Sequence, residues 1–70
     1  MNYNERLKHL ENLVISVMMA NGVKRVRPLD VTCIAERAFG VQTNTGAKYA
    51  GDLMRWSTRL GEDLDGIYLK

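Results

Sequence analysis

Apolar residues near the amino end recur at a helical period. Leu7, Leu10, Val14 and Val17 follow a three-four-three spacing, and Tyr3 extends the series backwards onto the same stripe. Leu13 and Met18 widen that stripe, so the pattern predicts a helix over residues 4–21. Asn2 or Asn4 is placed to cap its amino end, Glu5 complements the positive end of the helix dipole, and Asn21-Gly22 supplies the stop. Ile15 and Met19 fall off the stripe although both are large and apolar. Two readings fit them: the edge of a wide buried face, or a second seam that docks on another chain.

The pattern changes character at Val23. The run VKRVRPL alternates valine with basic residues and ends on Pro28-Leu29, which predicts an extended linker or a short edge strand. From Asp30 or Thr32, either of which can cap, a second helix is expected to reach Phe39, with Ile34, Ala35 and Ala38 on its apolar face and Gly40 ending it. After the polar turn Gln42-Thr43-Asn44-Thr45, a third helix capped by Thr43 or Thr45 should run through Tyr49, Leu53 and Trp56 towards Leu60, with Gly61 as its stop. Gly46 and Gly51 each cost this helix about 1 kcal/mol relative to alanine. Gly51 is the position expected to approach a partner helix. The last residues, Glu62 to Lys70, place Asp65-Gly66 between short apolar pieces, a hairpin signal. The fold class expected is mainly α: one domain over residues 1–70, with three helices, a basic extended segment and a small carboxy-terminal β-hairpin.

Two helices joined by a short polar turn, the first closed by Phe39-Gly40-Val41 and the second opened by hydroxyl and amide residues, outline a helix-turn-helix. The stretch IAERAFGVQTNTGAKYAGDL resembles the corresponding region of winged helix-turn-helix regulators. Within that group, residues 10–60 are similar to small enterobacterial and phage regulators of the carnitine-operon activator type. The resemblance implies a third helix that reads the DNA major groove. Two departures accompany it. Ala35 to Gly40 is one step longer than the usual four, which re-aims the third helix, and the candidate wing tip, Glu62 to Gly66, is acidic and would repel phosphates. Such a wing is read as structural or protein-facing.

Seventy residues allow one domain, and a chain of this size buries only roughly 60% of the surface exposed when unfolded. One cysteine excludes an intramolecular disulfide, and Cys33 and His9 are too far apart in sequence, without further ligands, to suggest a metal centre. Self-association then remains as a source of stability. The apolar run Leu13–Ala20 is too short for a bilayer and lacks the flanks of a signal peptide, so the expectation is a cytosolic protein with no membrane partner. Net charge is only +2, and the distribution therefore carries the argument. Lys24, Arg25 and Arg27 cluster, and Arg37, Lys48, Arg55 and Arg59 accompany the helix-turn-helix.

On the DNA reading, Gln42, Thr43, Asn44, Lys48 and Tyr49 reach base edges, since Asn and Gln pair with adenine and Lys with guanine or phosphate. Lys24, Arg25, Arg27 and Arg55 then hold phosphates. The plainer reading of the turn is a polar cap, that of the basic cluster is a solvated edge, and that of Arg55 and Arg59 is pairing with Asp52, Glu62 or Asp63. Trp56 reads as core and Cys33 as a small buried hydrophobe. No nucleophile-base pair, carboxylate pair or phosphate-cradling loop is present, so neither enzyme activity nor a cofactor is expected. Two functions follow. The first is a DNA-binding transcriptional regulator, acting as a homodimer on double-stranded DNA. The other is a phage- or plasmid-type inhibitor or adaptor that engages a host protein through Ile15, Met19 and the acidic hairpin.

Overall fold

The helical period of the amino end forms α1 (Tyr3–Asn21), and α2 (Pro28–Phe39) and α3 (Thr43–Trp56) follow it. Strands β1 (Leu60–Asp63) and β2 (Gly66–Leu69) then pair antiparallel, with Leu60 opposite Leu69 and Asp63 opposite Gly66. The computed structural model describes every residue from Met1 to Lys70. Three helices ahead of a carboxy-terminal hairpin make a mainly α, winged-helix-like layout, as the pattern predicted. No helix is long and apolar enough to cross a membrane.

In α1, Asn2 is the cap: its side-chain oxygen accepts the Glu5 backbone N–H at 2.8 Å. The buried face is Leu7, Leu10, Glu11, Val14, Ile15 and Met18. It is rotated from the expected stripe, leaving Tyr3 and Val17 over a third exposed while Ile15 is only 6% exposed. Glu11 lies on the rotated face. Its carboxylate accepts from Ser57 Oγ at 2.5 Å and from Arg59 Nη1 at 3.3 Å, which joins this side of α1 to the junction of α3 and β1. A buried carboxylate needs such partners, and Glu11 has them. Burial removes Ile15 from any partner seam; Met19, 73% exposed, remains available.

The second helix begins at Pro28, two residues before the earliest expected cap. Proline at the first helical position sacrifices only an N–H that has no helical partner, and its φ is preset for the turn. Asp30 therefore sits inside the helix and caps it by accepting the Arg27 N–H at 2.9 Å. Only Val26 of the basic segment pairs as a strand. Its N–H donates to Ile67 O at 2.9 Å and its carbonyl accepts from Ile67 N at 2.7 Å, adding a one-residue third strand to the hairpin. Gly66 makes this contact possible. It adopts φ +128°, and a Cβ there would lie 2.7 Å from the Val26 carbonyl oxygen.

Helices α2 and α3 share the most extensive interface in the fold. Gly46, rather than Gly51, is where they approach closely: a Cβ on Gly46 would sit 2.9 Å from Glu36 Cγ and 3.0 Å from the Thr32 carbonyl oxygen, whereas Gly51 faces open space. The third helix is preceded by Gln42 as N-cap, without a side-chain cap bond, and stops at Trp56 instead of continuing to Leu60. Ser57 ends it because its hydroxyl accepts the N–H groups of Arg59 and Leu60 while donating to Glu11. Leu60 and Gly61 are thereby released into β1, so Gly61 is a strand residue covered by Tyr68 rather than a helix stop. Three apolar expectations also fail: Ala38 and Cys33 are exposed, and Trp56 is half-exposed at the rim. The core is closed by Val26, Val31, Leu60 and Ile67 together with the expected Leu53.

Candidate nucleic-acid interface

Helical geometry divides the residues of α3 between two faces. Gly46, Tyr49, Ala50 and Leu53 are buried. Asn44, Lys48, Asp52 and Arg55, at steps of four, four and three, form a row on the outward side. Gln42, Thr43 and Asn44 are exposed at the amino end, where a helix inserted in a groove would meet base edges. Tyr49 does not belong with them. It is 5% exposed, stacks on Tyr3 with ring centres 5.1 Å apart, lies 4.8 Å from Phe39, and accepts a hydrogen bond from Arg6 Nη1 at 2.8 Å. An aromatic ring spaced one step from Lys48 falls on the core side of the helix, and burial wins over stacking on a ligand.

The basic residues divide into two groups. Arg55 lies along a groove between α2, α3 and the hairpin, lined also by Pro28, Leu29, Ala47, Gly51 and Glu62. Small residues at 47 and 51 leave the outer surface of α3 open to a close approach. Lys24 and Arg25 line a separate hollow with Met18, Met19, Val23 and Leu69. Arg25 is held by Asp63, at 2.8 Å from Nη2, and lies over the Tyr68 ring at 4.7 Å. Arg27 pairs with Asp30 at 3.2 Å. These pairs are exposed, so they contribute little to stability.

Asp52 organises the outward row. Lys48 Nζ and Arg55 Nη1 each lie 3.6 Å from its carboxylate, and the Tyr3 hydroxyl, reaching across from α1, donates a hydrogen bond to it. Lys48 also lies 5.0 Å from the centre of the Tyr3 ring. The Tyr3 hydrogen bond, with help from the two cations, holds the Asp52 carboxyl below the usual carboxylate range. Partial burial, reinforced by the hydrogen bond and negative charge of Asp52, pushes the Tyr3 hydroxyl up to about 12 from its ordinary 10.0. Because the folded value is the higher one, this contribution to stability is complete below pH 10.0 and is lost as pH rises through about 12. In an alkaline absorbance titration, the tyrosinate signal lost in Tyr3→Phe should be the component that ionises near 12. If that component ionises near 10.0, the contact with Asp52 is absent in solution.

The sequence marks Asp52 only as a pairing partner and Tyr3 only as part of an apolar helical stripe. The spacing of Lys48, Asp52 and Arg55 was a usable signal for their cluster, being local to one helix. Nothing local signalled Tyr3, which lies 49 positions from Asp52 in the chain. No group of three or more His, Cys, Asp or Glu residues is placed to hold a metal ion. Comparison of the chain with protein-family models, curated proteins and solved structures finds no match.

Proposed function

We propose that the protein binds double-stranded DNA through α3 and regulates transcription. The observation that carries this reading is the exposed, polar amino-terminal half of α3, with Gln42, Thr43, Asn44 and Lys48 on a helix docked firmly against α2 through Gly46. A rigid helix with a projecting polar row and small residues beside it suits insertion in the major groove. Asn44 pairs with adenine, and Lys48 and Arg55 take guanine or phosphate. Arg27, at the amino end of α2, is placed for a backbone contact of the kind that sets register.

Replacing Asn44 and Lys48 together by alanine is expected to abolish retardation of duplex DNA in low salt. Stability should change by no more than about 1 kcal/mol, roughly 0.5 for each substitution, because both side chains are exposed. Wild-type affinity should fall steeply with added salt as counterions return to the phosphates. Failure of the wild-type protein to retard any fragment of a genomic library in low salt would dispose of the proposal.

A second reading is favoured by one feature of the hairpin tip. Leu64 is fully exposed between Asp63 and Asp65, an apolar contact set among acids that phosphates would repel. A protein partner fits this tip, so the wing engages protein rather than the DNA minor groove.

A further inference from the structure

We propose that Asp52 determines the specificity of the α3 face by restraining Lys48 and Arg55 on non-target duplex. The inference rests on the DNA-binding reading above and names the residue that makes such binding selective.

Asp52 is the one acidic residue in the outward row of Asn44, Lys48, Asp52 and Arg55. Its carboxylate lies between two cations, 3.6 Å from each, and the Tyr3 hydroxyl of α1 fixes it in place. Stability accounts for only part of the arrangement: the Tyr3 hydrogen bond ties α1 to α3, whereas the ion pairs of Asp52 with the exposed Lys48 and Arg55 contribute little. On a duplex the carboxylate has a definite effect. It repels phosphate and competes with it for Lys48 and Arg55, which weakens the electrostatic attraction common to all sequences. A matching site compensates by presenting a donor to the carboxylate, as the exocyclic amine of cytosine does, while guanine or phosphate takes the cations. A mismatched site leaves the carboxylate unpaired against the groove. Discrimination then comes from a penalty on wrong sequences as well as from contacts to the right one.

The test compares wild-type protein with Asp52→Asn, which keeps the side chain's size and removes its charge, on a randomised duplex pool over a range of salt. Non-target affinity in low salt should rise about tenfold, and the slope of log affinity against log salt should steepen by about 0.9, one further phosphate. Rounds of selection from the pool should enrich sequence less strongly with the variant. Asp52→Glu, which keeps the charge, should stay at the wild-type level. If wild-type binds DNA and Asp52→Asn binds no tighter, with the same slope, the inference is overturned while the DNA reading stands. An equal rise for Asp52→Glu also overturns it. If neither wild-type nor variant binds duplex at any salt, both fall together.

Discussion

Leu53→Ala is expected to destabilise the protein by about 3 kcal/mol, the cost of deleting a buried leucine side chain and leaving a cavity. Leu53 is fully buried and sits on the core face of α3, with Tyr49 and Ala50. A domain of this size has only about 4–10 kcal/mol in total. The loss should therefore lower the melting temperature by about 12–24 °C, at 4–8 °C for each kcal/mol. Urea unfolding gives the direct measurement, with the slope unchanged if the unfolded state is unaffected. Leu53→Met preserves volume and should cost less than about 1.5 kcal/mol. A loss under about 1 kcal/mol for the alanine variant would mean that α3 does not dock on α1 and α2 through this residue, and the outward row would then have no fixed direction.

Gly66→Ala should be comparably damaging, by about 2–4 kcal/mol, for a reason unrelated to hydrophobic burial. The backbone at φ +128° is strained for any residue with a Cβ, and that Cβ would meet the Val26 carbonyl oxygen at 2.7 Å. The obstacle is main chain, not a flexible side chain, so it cannot move without breaking the paired bonds between Val26 and Ile67. Hydrogen exchange reads this directly. In the variant the Val26 and Ile67 amides should lose protection even in molecules that keep their helices. Protection at wild-type levels together with unchanged melting would show that the hairpin does not need this contact.

The two variants probe parts of the fold that were not equally readable in advance. Leu53 was visible as core because the helical period of α3 places it there whatever else the chain does. The hairpin was visible from Asp65-Gly66, yet its third partner was not. Nothing in VKRVRPL singles out Val26 as the residue that bridges to Ile67, because that pairing joins positions 41 apart (67 minus 26) and depends on the path of α2. Pro28 hides the start of α2 in the sequence, because proline reads as a barrier to helix whereas at the first helical position it is favourable.

The candidate site shows the same division. Gln42, Thr43, Asn44, Lys48 and Arg55 are exposed as expected, since local polarity and helical spacing suffice to put them outside. For Tyr49 and Ile15 the sequence allows both a buried and a surface place, and both are buried; each lies where the predicted face ends, and only packing decides which side of such a boundary faces in. Ile15 is buried on the same face as Glu11, whose partners Ser57 and Arg59 are more than 40 positions away.

Three helices, a hairpin and an outward polar row on α3 were thus legible in the chain, because period, caps and turn residues act over a few neighbouring positions. Other features needed the folded molecule: the rotation of α1, the close approach at Gly46, the pairing of Arg25 with Asp63, and the tether from Tyr3 to Asp52. All of them are contacts between segments distant in sequence, and their energies depend on how whole faces fit together, a property that no local pattern encodes.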